Sequence, residues 1–223
     1  MRQIIFITGT DTGVGKTVLT ALITRFLREQ GVNAAALKPI CSGGRDDARR
    51  LYAAGNGALT LDEINPWCFR APVAPLLAAR RERQRVTLPQ VIAHVRAMQK
   101  RFDVLLIEGA GGLLSPLGEG FDSRDLIAAL RVIPVVVGPN RIGVVNQVRL
   151  TLGALPSVLV GKARVVLMSS PRPDASAKTN AALIAELSGS KKIFELPWLG
   201  GRPLAETVLN GSRVRRTLRA LVK

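Results

Sequence analysis

Gly13, Val14, Gly15, Lys16 and Thr17 stand in a row between an apolar run, Ile4-Ile5-Phe6-Ile7, and a stretch where apolar residues return at helical spacing. The segment that leads into them, Thr8-Gly9-Thr10-Asp11-Thr12, is a polar turn. Strand, glycine turn, Gly-Lys-Thr and helix, in that order, read as a phosphate-binding loop. In such a loop the N–H groups of the turn and of the first helical turn, here Gly13 to Val18, point at phosphate oxygens. The positive end of the helix dipole assists them. Lys16 then reaches the β- and γ-phosphates of a nucleoside triphosphate, and the Thr17 hydroxyl ligates Mg²⁺. One detail departs from the common spacing. Counted back from Gly15, the first glycine belongs at position 10, which is Thr10; Gly9 lies one residue earlier, so the loop is longer by one.

Three further groups could take part. Lys38 precedes Pro39 at the carboxyl end of a short apolar run, where ligands bind in open α/β sheets. Beside a phosphate loop it is a candidate catalytic cation. The polar segment Cys41-Ser42-Gly43-Gly44-Arg45-Asp46-Asp47 opens a helix. Asp46 or Asp47 either caps that helix or offers a carboxylate to a metal or nucleotide, and the spacing leaves both open. Glu108 closes another apolar run and is followed by Gly109-Ala110-Gly111-Gly112. An apolar strand ending in an acid has the form of a Walker B carboxylate, which holds Mg²⁺ directly or through water. The glycines let backbone approach a ligand closely.

The elements that must position these groups alternate between strand and helix. Residues 3–8 read as a buried parallel strand, 16–30 as a helix stopped by Gly31, and 34–37 as a second strand. This is a βαβ unit, whose crossover is right-handed. A helix follows to about Ala54. Residues 55–87 are the least regular part, punctuated by Asn65-Pro66-Trp67 and Ala71-Pro72-Val73-Ala74-Pro75. Helical spacing returns over 88–101, with His94 as a structural or surface residue. Strands are expected at 103–107, 134–138, 163–168 and 193–196. Helices are expected at 126–130, from 141 to about 152, at 180–187, and from 204 to the end. The helix N-terminus after Arg141 suits an anionic group such as a carboxylate. No repeat or linker interrupts the pattern. The expectation is one α/β domain over residues 1–223, with a mainly parallel doubly wound sheet.

Composition sets the outer limits. The chain has 223 residues, 47% of them hydrophobic, enough for a full core. No apolar stretch has membrane-spanning length and no secretion signal is visible, so a cytoplasmic location without membrane partners is expected. Cys41 and Cys68 are expected to be free thiols, and a single histidine argues against a His/Cys zinc site. The formal charge of +16 raises nucleic acid as a partner. Yet the arginine runs at 80–85 and 213–216 lack interleaved aromatics, and only 4% of the chain is aromatic. Both runs read as solvated surface and no nucleic-acid partner is expected.

Four segments together have a familiar form: Thr8 to Thr17; Lys38-Pro39 with Ser42-Gly43; Glu108-Gly109-Ala110-Gly111-Gly112; and Pro197-Trp198-Leu199. In order and separation they resemble the dethiobiotin synthetases, ATP-dependent carboxylases of biotin synthesis, in which the longer glycine spacing is a family feature. The resemblance implies a P-loop NTPase-like three-layer fold, an ATP-dependent cyclo-ligase, and a homodimer with active sites near the subunit interface. The substrates it implies are 7,8-diaminopelargonic acid, CO₂ or bicarbonate, and ATP with Mg²⁺. Carried over by position, Lys16 and Lys38 are catalytic, and Thr17, Asp47 and Glu108 hold the metal. Gly109, Ala110, Gly111, Pro197, Trp198 and Leu199 join the loop in binding nucleotide. Ser42, Gly111 and Gly112 contact the diamine end. Gly143, Val144 and Asn146 hold the tail carboxylate from across the dimer.

The chain departs from the family pattern at three places. Many members carry an adenine-reading asparagine after the strand ending Val166-Leu167-Met168-Ser169-Ser170, and this chain has none there. Gln147 stands where many have histidine, and no tyrosine occurs within 180–187. These differences bear on selectivity rather than on phosphate chemistry. Rival readings are a partitioning-type ATPase that binds DNA or membrane, an amide-forming ligase with an added glutaminase domain, and a small-molecule kinase. The first needs a lysine five residues before Lys16, where this chain has Asp11. The second needs more chain, and the third a lid motif.

Overall fold

The computed structural model describes residues 2–201 and 211–222. From the start the order is β1 (Gln3–Gly9), α1 (Lys16–Glu29), β2 (Ala34–Leu37), β3 (Ile40–Ser42) and α2 (Asp46–Ala54). Then come α3 (Leu61–Ile64), β4 (Trp67–Phe69), α4 (Pro75–Arg81), α5 (Leu88–Gln99) and β5 (Val104–Glu108). They are followed by β6 (Pro116–Gly118), β7 (Phe121–Asp122), α6 (Ser123–Leu130), β8 (Ile133–Pro139) and α7 (Val144–Ala154). The last are α8 (Ser157–Val160), β9 (Arg164–Met168), α9 (Asn180–Ser188), β10 (Ile193–Leu196) and α10 (Ser212–Val222).

Six strands form one parallel sheet in the order β10-β9-β8-β1-β5-β2. β1 is central because its Ile4, Ile5, Phe6 and Ile7 are buried on both faces, as strands covered by helices on both sides must be. The chain first moves from β1 to β2, and β5 later inserts between them. β8, β9 and β10 then extend the sheet on the other side of β1. The strand order therefore reverses next to β1, the place where an open α/β sheet leaves a crevice at the carboxyl ends of its strands. The chain has the α/β, P-loop NTPase-like architecture, a mainly parallel sheet flanked by helices.

α1 packs Leu19, Leu22, Ile23, Phe26 and Leu27 against the sheet and against β2, whose Ala34, Ala35 and Ala36 let it approach closely. Thr20 and Thr24 are also buried in α1, and each hydroxyl donates to the carbonyl four residues back, at 2.8 Å. All four residues of β2 are buried although it is an edge strand. At the other edge, Ile193, Phe194 and Glu195 of β10 stay partly exposed.

The stretch 55–87 is more ordered than its turn residues suggest. Thr60 and Glu63 form a capping box that starts α3, and Pro75 opens α4 at a position where a missing N–H does no harm. β4 pairs in parallel with β3, setting Cys41 opposite Cys68 and Ser42 opposite Phe69. Both cysteines are free thiols. β3 lies within what reads in sequence as a polar loop, and β6 with β7 adds a small antiparallel pair. His94 Nε2 donates one bond at 2.8 Å to the Glu63 carbonyl and meets Trp67 edge-on, a structural position. Arg80, Arg81, Arg83 and Arg85 are exposed, as are Arg213 and Arg216 of α10, so these runs are solvated surface. α10 holds its place through buried Val214, Leu218 and Leu221, while the helix start expected at 204 lies outside the described residues. Among the described residues no helix is long and apolar enough to cross a membrane.

Phe69 is fully buried and ties the β3–β4 ribbon to the main core. Phe69→Ala should lower the free energy of unfolding by about 3–5 kcal/mol. A denaturant midpoint within error of the parent chain would show that the ribbon contributes nothing to the core.

Candidate active site

The phosphate-type loop runs from the end of β1 to the start of α1. Gly13 and Gly15 have φ of 74° and 102°, in the left-handed region where a side chain is strained. Gly9 explains the unusual spacing. It still pairs with Val137 of β8, and a Cβ on it would lie 2.8 Å from Val14 Cγ2 and 3.1 Å from Lys16 Cδ. Thr10 N–H donates to the Val137 carbonyl at 2.9 Å, so position 10 is held on the sheet and the turn begins one residue later. The N-cap of α1 is Gly15, no side chain caps the first turn, and Gly15, Lys16, Thr17 and Val18 line a cavity of about 720 Å³. The first-turn N–H groups are therefore available to an anion.

Lys16 is nearly buried, and its ammonium donates to the Asp11 carbonyl at 2.7 Å. Burial, aided by the neighbouring charge of Lys38, pushes its pKa down to about 8. Lys38 extends from the end of β2 and is 5% exposed. Its ammonium donates to Asp47 and, at 2.7 Å, to Glu108 Oε1. Burial alone would push Lys38 down, yet the two carboxylates outweigh it and hold the group above the ordinary lysine value. The same balance acts on Asp47. Burial would raise it, and the Lys38 charge and hydrogen bond, with Thr17 and Arg50, hold it below the usual carboxylate range.

Glu108 ends β5 and is 1% exposed. Its Oε1 accepts from Lys38 and, at 2.7 Å, from the Thr17 hydroxyl, while Oε2 is buried with no hydrogen-bond partner among the described residues. A buried carboxylate oxygen left bare beside a threonine hydroxyl and a second carboxylate fits a divalent cation with oxygen ligands. Asp47 is not a cap, since α2 has no side-chain cap bond and Arg45 at its N-cap. Asp46 is the solvent-facing acid, paired with Arg49 at 2.8 Å.

A buried asparagine that sequence reading passes over fixes the Lys38 corner. Asn65 donates to the Lys38 carbonyl at 2.7 Å, and its Oδ1 accepts from Cys41 Sγ at 3.1 Å. The cavity wall opposite the loop is made by residues 72–75, again from the stretch without clear periodicity. The Ser42 hydroxyl lines the cavity and donates to the Val73 carbonyl, which joins that wall to β3. Ala110 and Gly111 line the floor. Gly111 has φ of 69°, and a Cβ there would meet Ser115 Oγ at 2.3 Å, the hydroxyl that accepts from Gly112 N–H at 2.9 Å. Gly109 is held by packing too, with Ser123 Oγ 2.8 Å from a built Cβ.

The structure thus brings Lys16, Thr17, Lys38, Ser42, Asp47 and Gly111 to one cavity, with Glu108 directly beneath. Gly13, Gly15, Val18 and Ala110 line the same cavity, whereas Val14, Gly109 and Gly112 do not, and two further groups lie away from it. Gly143, Val144 and Asn146 start α7 beyond β8, and Pro197, Trp198 and Leu199 follow β10 at the sheet edge, with Trp198 57% exposed. Gly143 has φ of 90°, and no side chain caps α7.

A family model described as an AAA domain matches residues 3–201. The chain is 41% identical to an ATP-dependent dethiobiotin synthetase from Anaeromyxobacter dehalogenans (strain 2CP-C), over 87% of this chain and 89% of that protein. It is 36% identical to the Akkermansia muciniphila protein of that name, over 88% and 92%. With the Bacillus subtilis (strain 168) protein of that name the identity is 32%, over 92% and 91%.

Lys16→Met removes a buried cation that burial disfavours. Without nucleotide the variant should unfold with a free energy about 1 kcal/mol higher than the parent. A charged group held below its ordinary pKa destabilises the fold where it is protonated, so the gain should shrink as pH rises through about 8. The rise in Tm on adding MgATP should vanish in the same variant. Lower stability at neutral pH would contradict this account of Lys16.

Proposed function

The chain belongs to the dethiobiotin synthetase family and is an ATP-dependent cyclo-ligase, and on that footing we propose which residues carry each step. The substrate is 7,8-diaminopelargonic acid, a vicinal diamine with an anionic tail. One amine adds to CO₂ and loses a proton to give a carbamate. A carbamate oxygen attacks the γ-phosphorus of ATP, ADP leaves, and a carbamic-phosphoric anhydride forms. The second amine attacks the carbamoyl carbon, phosphate leaves, and the ureido ring closes.

Phosphoryl transfer asks for position and charge neutralisation more than for covalent help. The loop N–H groups and Lys16 bind the phosphate chain. Lys38 works as a fixed charge rather than an acid. Its two carboxylate partners keep it protonated, and it faces both the γ-phosphoryl and the carbamate. Thr17, Asp47 and Glu108 would hold Mg²⁺, and the bare Oε2 of Glu108 supports that donor set. Mg²⁺ held by these three residues would supply positive charge against the charge that builds on the phosphoryl oxygens. Ser42, Gly111 and Gly112 contact the diamine end. The apolar wall at 72–75 excludes water from the mixed anhydride, which water would otherwise hydrolyse.

The tail carboxylate meets the N-terminus of α7 in a second copy of the chain, through Gly143, Val144 and Asn146. Exposed Ile142, just before α7, and Leu150 within it, at 75% and 67%, support a covered face there and hence a homodimer. Pro197, Trp198 and Leu199 serve the nucleoside end. The phosphate end lies toward β5 and β2, so the nucleoside runs toward β9 and β10. A single chemical domain over residues 1–223 with a cytoplasmic location completes the reading. The observation that carries it is the Lys38 ammonium on Glu108 and Asp47 in the cavity that the phosphate-type loop lines.

The direct test supplies ATP, Mg²⁺, bicarbonate and diaminopelargonate and follows phosphate release together with the ring-closed product by mass. Phosphate without product would overturn the reaction. Lys38→Ala should lower turnover by about 100-fold or more and change the Kd for ATP less than threefold. Loss of ATP binding instead would make Lys38 a nucleotide anchor. Glu108→Gln should shift the Mg²⁺ dependence of turnover to roughly tenfold higher concentration, and an unchanged metal titration would remove Glu108 from the ligand set.

A further inference from the structure

Three arginines stand at the start of helix α2, Arg45 as its N-cap and Arg49 and Arg50 within it, and they are used differently. Arg45 pairs with Asp62 at 2.7 Å and donates to the Asn65 carbonyl at 3.1 Å. Arg49 pairs with Asp46 in solvent at 2.8 Å. Arg50 has neither an ion-pair partner nor a side-chain hydrogen bond among the described residues, and it lines the cavity beside Thr17, Val18 and Asp47. It sits three positions after Asp47, so the two side chains share one face of α2. Arg50 lies close enough for its charge to help hold Asp47 low, yet Asp47 and Glu108 take their ion pairs from Lys38 rather than from Arg50.

We propose that Arg50 is a third phosphate-binding cation of this site, contacting oxygens of the nucleotide's phosphate chain on the side that faces solvent. The inference rests on the reading that the cavity takes a nucleoside triphosphate. Lys16 and Lys38 meet the chain from below, at the terminal phosphoryl. Arg50 lines the same cavity as Thr17 and Val18, from helix α2 on the β2 side. A guanidinium suits the position. Its planar fork spans two oxygens, and it is hydrated more weakly than an ammonium. A divalent ion held by Asp47 would repel Arg50, and the phosphate chain is the anion that would offset that repulsion. Among the described residues Arg50 makes neither a cap nor an ion pair that would explain the placement.

The test compares MgATP binding by calorimetry for the full chain and for Arg50→Ala, Arg50→Lys and Arg49→Ala, at low and high salt. Arg50→Ala should raise Kd roughly 3- to 10-fold at low salt, with the difference narrowing at high salt. Arg50→Lys should recover part of the loss, and Arg49→Ala should match the parent chain. In turnover, Arg50→Ala should raise KM for ATP by the same factor and lower kcat less than twofold. An unchanged Kd in Arg50→Ala, or an equal loss in Arg49→Ala, would overturn the assignment. Because binding is read without the diamine, failure of the ring-closing reaction would leave this test intact and would be seen separately.

Discussion

A single buried ammonium, that of Lys38, is shared by two carboxylates that reach it from different parts of the chain. Taking such charges out of water is expensive, and a cluster of this kind survives only where geometry and further hydrogen bonds compensate. Here each partner is delivered by a separate element. Lys38 comes from the end of β2, Glu108 from the end of β5, and Asp47 from the first turn of α2. β2 and β5 are adjacent only because β5 inserts between β1 and β2. Sheet order is thus what makes the cluster possible, and Thr17 links it to the loop through Glu108.

The cluster also decides what Lys38 can do. A lysine meant to give up a proton needs burial without a nearby acid, which is closer to the setting of Lys16. Lys38 has burial with two acids, and the acids win. The two lysines are of one residue type in one cavity, yet their surroundings move them in opposite directions. Position on the chain says nothing of this, and the difference lies in which acids each can touch.

Much of the arrangement was legible in the sequence because the motifs sit at the ends of near-continuous apolar runs. The loop, Lys38 and Glu108 could each be placed at the carboxyl end of a strand from local pattern alone. Local pattern alone does not separate Asp47 from Asp46, since both open the same helix; the resemblance points to Asp47, and it is Asp47 that Lys38 touches while Asp46 pairs with Arg49 in solvent. β3, β4 and the wall at 72–75 were not legible for a different reason. The strands are three residues long, too short for a period to show, and pair across an intervening stretch that holds α2 and α3. Asn65 read as turn punctuation beside Pro66, and only its contacts with Lys38 and Cys41 reveal it as a strut. Gly9 was visible as an irregularity. Its cause, the close approach of Val14 and the pairing of Thr10 with β8, belongs to packing.

The two margins of the central sheet differ in how they are closed. β2 is a strand of small side chains sealed by helices, so its outer backbone offers no template to another chain. β10 is more open, and there the chain places Lys191 and Lys192 just before the strand and Glu195 within it, near Arg213 at 3.7 Å. Charged side chains beside an open strand discourage a second sheet from adding on. The two margins of this unclosed parallel sheet are thus guarded against strand addition by different means, one by packed helices and the other by charge.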